Sequence, residues 1–178
     1  MFTPETLKSI EAQIVEKCDA VDGIKDGLLE DPRRCNIDVA GFAGLSDGQR
    51  AALKKIYAET GGKEGAIYPA QPLGGEGDWP AWITGGTDAV PQGPSLRFVL
   101  GTQFFKFLVF NDPSWDYSHY DVANARMDAT NPDLDTFKAK GRKLIVWHGW
   151  SDAALTASIT TSRSSSATLE CATTSACS

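Results

Sequence analysis

One short run does most to limit what this chain can fold into. Residues 143–148 read Lys-Leu-Ile-Val-Trp-His, a continuous apolar, β-branched stretch set between Gly141 and Gly149. That is the pattern of a strand covered on both faces, as in a parallel sheet flanked by helices. A lone parallel strand is no fold. Its neighbours are therefore expected outside this chain or in another molecule. The expected fold class is α/β, with one sheet strand present and helices and irregular loops making up most of the rest.

The helices are signalled by their ends. Thr3 is a good N-cap, Pro4 suits the first helical position, and Leu7, Ile10, Ile14, Val15 and Cys18 follow at helical spacing, so a helix is expected to near Cys18. Ser46 and Gln49 form a capping box for a second helix with the stripe Leu53, Ile56 and Tyr57, expected to stop at Gly61-Gly62. Residues 61–94 are rich in Gly and Pro and carry Trp79 and Trp82; they read as a functional loop or part of an irregular domain. Residues 95–110 favour helix over strand, and Asn131-Pro132-Asp133 caps a short helix through Phe137 and Ala139.

With 178 residues the chain has room for one ordinary domain. Its net charge of −6 argues against a general grip on nucleic acid or an anionic membrane. No apolar run approaches the roughly 20 residues that span a bilayer, and Met1-Phe2-Thr3-Pro4-Glu5 does not open a secretory leader. Ser, Thr and Ala supply 19 of the 26 residues in 153–178, a composition that cannot bury a core and reads as disordered. Four cysteines fall into two unlike pairs: Cys18 and Cys35 bracket an acidic segment and read as a bridge, whereas Cys171 and Cys177 lie in the polar tail and leave pairing open. A bridged first pair implies export.

The bracketed segment runs Cys-Asp-Ala-Val-Asp-Gly-Ile-Lys-Asp-Gly-Leu over residues 18–28. Three carboxylates arrive at intervals of three and four, with a glycine after Asp22 and another after Asp26. Calcium takes 6–8 hard oxygens, backbone carbonyls among them. Asp19, Asp22 and Asp26 could supply carboxylates, and Ile24 and Leu28 carbonyl oxygens. The spacing is not that of an EF-hand, and a solvated Asp/Gly turn explains it equally well from the residues alone.

His148-Gly149-Trp150-Ser151-Asp152 leaves the carboxyl end of the expected strand, where open α/β sheets place their chemistry. Three readings stand. Residues 149–153 could be a nucleophile elbow of the G-x-S-x-G kind, although no histidine follows Ser151. Asp152 could be the acid that orients a catalytic histidine supplied from elsewhere. Or Asp152 could simply cap the next helix, with Ser151 merely exposed. His148 reads as a packing or backbone-bonding residue, and His119 as part of a polar-aromatic surface with Trp115, Tyr117 and Tyr120.

With both stretches in hand, the chain resembles the tannase and feruloyl esterase family of α/β-hydrolases. The resemblance rests on residues 18–28, on Asp31-Pro32-Arg33-Arg34-Cys35 and on residues 143–152, with weaker matches at Ile67-Tyr68-Pro69, Gly74-Gly75-Glu76 and residues 111–116. It implies a secreted serine esterase with a large lid inserted in the hydrolase sheet. Residues 1–138 would be mostly lid, residues 139–157 the return to the hydrolase core, and residues 158–178 a disordered, frameshifted tail. The fold would thus be an incomplete α/β-hydrolase. The resemblance also implies structural Ca2+ at Asp19, Asp22, Ile24, Asp26 and Leu28, the Cys18–Cys35 bridge, Asp152 as triad acid, and small aromatic-acid esters as substrates. In the family the nucleophile stands in a Cys-Ser pair and the histidine in a His-Cys pair; no Cys-Ser pair precedes the acidic loop here and no His-Cys pair follows Asp152. The chain is accordingly expected to be a fragment, inactive alone. The alternative, from another class, is a calcium-stabilised module that binds an aromatic or glycan ligand through Trp79, Trp82, Trp115 and Tyr117.

Overall fold

The computed structural model describes residues 1–62, 65–87, 93–119, 122, 133–145 and 147–157. The expectation of a disordered tail from residue 153 is corrected at its start: Ala153, Thr156 and Ala157 are buried, Ala153 in the main apolar cluster, because this stretch docks on the body. Residues 158–178, with the Cys171/Cys177 question, lie outside the described residues.

Helix α1 (Pro4–Cys18) starts where its cap predicts: Thr3 Oγ1 accepts the Thr6 amide at 3.2 Å. Its stripe of Leu7, Ile10 and Ile14 is fully buried, each such side chain being worth about 1.5–3 kcal/mol of transfer free energy. Helix α2 (Asp47–Ile56) carries the predicted capping box, with Gln49 N–H donating to Ser46 Oγ at 3.3 Å and Ser46 N–H to Gln49 Oε1 at 2.9 Å. Leu53 from α2 joins Leu7, Ile10, Ile14, Val39, Phe42 and Trp79 in one apolar cluster.

Helix α2 ends at Ile56 rather than at Gly61-Gly62. Those glycines instead lie in β1 (Thr60–Gly62), which pairs antiparallel with β2 (Gly65–Tyr68) in a two-stranded hairpin. The helix stops early because Tyr57 is drawn inward, its hydroxyl to Glu76 and its ring edge-on to Trp79, with centroids 5.5 Å apart. Beyond the hairpin come a 3-10 turn (Glu76–Asp78) and a π-turn (Pro80–Thr84), so the Gly/Pro-rich stretch is irregular but folded where it is described.

Helix α3 (Leu96–Gln103) is capped by Ser95 and runs on as a π-helical segment (Phe104–Val109). A short α4 (Asp135–Ala139) follows, with Asp133 Oδ1 accepting the Asp135 amide.

The expected strand is where the structure departs most from the sequence pattern. Within 143–148 the described residues belong to no strand, and the one described sheet is the β1–β2 hairpin. Leu144, Ile145 and Trp147 are 47%, 75% and 89% exposed. The cause is physical: a strand exists only through the ladder that satisfies its amides and carbonyls, and the described residues supply no partner.

Candidate functional site

The acidic loop is built on the Cys18–Cys35 disulfide, which forms as expected with the two Cα atoms 5.5 Å apart. Within it each aspartate binds backbone. Asp19 Oδ1 accepts the amides of Asp26 (3.1 Å) and Gly27 (2.9 Å), Asp22 Oδ1 that of Ile24 (2.8 Å), and Asp26 Oδ1 that of Leu28 (3.1 Å). Gly23 (φ +98°) and Gly27 (φ +81°) take left-handed conformations that side-chain-bearing residues resist, which explains the glycine after Asp22 and after Asp26. Ile24 and Leu28 expose their side chains, 63% and 66%. Their places in the loop are therefore not set by packing into the core.

The donor chemistry of this loop, three carboxylates and two main-chain carbonyls, suits a hard divalent cation. Its described geometry is a self-bonded turn rather than a gathered cage. Among the described residues no three His, Cys, Asp or Glu side chains converge closely enough to share a metal ion.

The 149–152 turn is the second component. Asp152 Oδ1 accepts the amides of Ala154 (2.8 Å) and Leu155 (2.9 Å), and the Leu155 amide first among these holds the carboxyl below its ordinary value. Oδ2 lies 3.3 Å from His148 Nε2, which also meets the Leu155 carbonyl at 2.8 Å. His148 thus bonds to backbone, as the sequence suggested, and Asp152 caps its turn while directing its second oxygen at an imidazole. After Ser151 the chain bends over residues 153–155 before a helical residue at Ala157, and Ser151 Oγ reaches the Gly74 carbonyl at 3.5 Å.

The turn is docked on the body. Ala153 belongs to the main apolar cluster, Thr156 is fully buried, and Arg97 of α3 donates from Nε to the Ala154 carbonyl at 2.9 Å. Arg33, doubly bonded to Asp31 at 2.7 Å, lies 5.0 Å over the Trp150 ring and so ties the disulfide loop to the turn. A cleft of about 700 Å³ opens between the two components, with Asp22, Asp26 and Leu28 on one side and Gly75, Trp150 and Ser151 on the other. Two stretches more than a hundred residues apart in sequence therefore face one cavity.

Sequence reasoning missed Arg97, Tyr57 and Glu76. The third had a signal, an acid set between Gly75 and Gly77 three residues before Trp79, which is an unusual setting for a solvated carboxylate. Of the four aromatic residues named in the alternative reading, Tyr117 is exposed and Trp82 half-buried, whereas the other two are covered. Trp79 and Trp115 are only 2% and 4% exposed, Trp115 being stacked on Phe110 at 5.7 Å and packed on Phe105 at 4.8 Å. Neither ring can meet a ligand without opening its cluster. His119 is an exposed residue beside Asp116 at 3.7 Å.

No family model matches the chain. An uncharacterized esterase of Xanthomonas campestris is 34% identical over 179 aligned positions, covering 82% of this chain. A probable feruloyl esterase B-2 of Aspergillus flavus is 29% identical and covers 83%. This chain spans about 30% of the length of each of these relatives. The crystal structure of feruloyl esterase B from Aspergillus oryzae superposes with a TM-score of 0.75 at 23% identity, over 94% of this chain and 37% of that one, a likeness of fold. No helix among the described residues is long and apolar enough to cross a membrane. Sequence kinship over four-fifths of the chain and the shared fold converge on one conclusion: the chain belongs to the feruloyl esterase/tannase family.

Proposed function

We propose that this chain is a segment of a secreted, serine-type carboxylic ester hydrolase acting on esters of aromatic acids, and that it contributes the lid and the acid of the triad. Residues 1–138 are the lid segment, and residues 139–157 return to an α/β-hydrolase core in which residues 143–148 take their place as a sheet strand. The observation that carries the reading is the cleft in which the acidic loop and the Asp152 turn meet, in a fold shared with feruloyl esterase B.

In this reading Asp152 orients a histidine and stabilises its imidazolium while a serine attacks the ester carbonyl. Its geometry suits that role, since two amides fix Oδ1 and leave Oδ2 to face an imidazole. The serine and histidine come from other polypeptide. Asp19, Asp22 and Asp26 through carboxylates and Ile24 and Leu28 through carbonyls would hold Ca2+ once the carboxylates exchanged their present amide bonds for the ion, which would supply structural charge neutralisation only. The disulfide suits an oxidising compartment.

Two measurements test this. The chain alone should hydrolyse neither methyl ferulate nor methyl gallate above a blank; turnover by the chain itself would overturn the assignment of the nucleophile to other polypeptide. Calorimetric titration with Ca2+ should give one saturable site that Asp19→Asn and Asp22→Asn weaken; no heat at millimolar Ca2+ would remove the ion from the reading.

A further inference from the structure

Glu76 is fully buried, and its carboxyl group is the junction of three segments. Oε1 accepts the Tyr57 hydroxyl at 2.6 Å, and both oxygens accept the Gly74 amide at 3.1 Å. One residue on, Gly77 N–H donates to Glu11 Oε2 of α1 at 2.6 Å. The Gly74–Gly77 stretch is thus held by two carboxyl groups, one its own and one from the helix beneath it. Its far side presses on the acid turn. A Cβ added to Gly75 would stand 3.1 Å from Ser151 Cα and 3.3 Å from its carbonyl oxygen, so any side chain there would push the acid turn back by a few tenths of an ångström.

We propose that Glu76 is a positioning residue for the acid turn: its carboxyl locks Gly74–Gly75 where that pair buttresses Ser151, and thereby sets where the neighbouring Asp152 is held. Only the catalytic consequence rests on the reading of Asp152 as triad acid; the latch itself is a property of this chain.

The latch responds to protonation. Burial pushes the Glu76 carboxyl up to about 7, with Glu11 adding to the rise and the Tyr57 hydroxyl and the amides opposing it. Tyr57 stays a donor, because burial first and the nearby Glu76 second push its hydroxyl upward. The other charged groups around the turn are Asp78 on the turn, Lys8 of α1 in the same surface cleft as Gly77 and Asp78, Asp22, Asp26 and Glu30 of the acidic loop across the larger cleft, and His148 and Asp152 on the facing segment. A carboxyl raised from 4.5 to about 7 favours folding below 4.5, and this advantage is lost as pH climbs through 7. The folding equilibrium should fall by roughly two orders of magnitude across that window.

The test is a pH titration of the backbone amides of Gly74 and Ser151 by NMR on the intact chain, between about pH 5.5 and 8.5. Both amides should move with one midpoint near 7. Glu76→Gln should keep the fold and flatten both curves, while His148→Gln, which removes the imidazole beside Asp152, should leave the Glu76 component in place. Tyr57→Phe should raise the midpoint, since it deletes a donor to the carboxylate, and it decides the matter if Glu76→Gln does not fold. A Ser151 curve unchanged by Glu76→Gln, one abolished by His148→Gln, or an unmoved midpoint in Tyr57→Phe would each overturn the proposal. Failure to bind Ca2+ would count against the functional reading and leave these titrations untouched.

Discussion

The N-terminal body and the 143–148 run are both rich in apolar side chains, yet they end in opposite states. In the body, Leu7, Ile10 and Ile14 sit on one face of a capped helix and are completely covered. In the run, Ile145 and Trp147 are 75% and 89% exposed. A helix satisfies its own backbone and needs a neighbour only for its stripe, which α2, Phe42 and Trp79 provide. A strand needs neighbours for its backbone as well. The contrast separates residues that stabilise this chain from residues that would stabilise an assembly containing it.

The largest expected effect sharpens that contrast. Ile10→Ala removes a fully buried side chain and should cost about 2–5 kcal/mol, read as a fall in the urea midpoint. If the variant is unfolded throughout, Ile10→Val should still fold at a cost of about 0.5–1.5 kcal/mol. Opening the Cys18–Cys35 bridge by the double serine variant comes next, at about 3 kcal/mol for a separation of 17 residues, since the bridge closes the acidic loop onto the end of α1. Ser46→Ala, which breaks the capping box of α2, should cost about 1 kcal/mol. A bridge variant that melts at the wild-type temperature would mean that α1 and α2 hold the body without the loop.

Much of this was legible because it is local. Thr3, Ser46 and Gln49 announce helix starts within four residues, and the Asp/Gly spacing of 19–27 announces a tight loop whose amides the aspartates bind. The Tyr57–Glu76 bond spans 19 residues and the contact of Gly75 with Ser151 spans many more, and no periodicity encodes either. Helix α2 is shorter than its stripe predicts for the same reason, because the pull on Tyr57 is tertiary. Asp152 was legible as a cap or an acid, and the structure shows the cap directly. That its turn joins the core through Ala153, and is bound by Arg97 and Arg33, could only come from three dimensions.

The smallest expected effect is the one that can break the contrast. Trp147→Ser removes the most exposed large apolar side chain of the described residues, and a surface change of this kind shifts stability by no more than about 0.5 kcal/mol. Its melting curve should overlay that of the wild type. Solubility should instead rise, because an exposed apolar, β-branched segment outside any described sheet is a template for association between copies. Sedimentation at increasing protein concentration reads that second effect directly. If Trp147→Ser instead lowered the urea midpoint as far as Ile10→Ala, the run would be buried in solution by some part of this same chain, and the division between self-sufficient body and partner-dependent strand would fail. If midpoint and sedimentation both stayed unchanged, the exposed run would be inert alone, and its side chains would matter only where a sheet receives them.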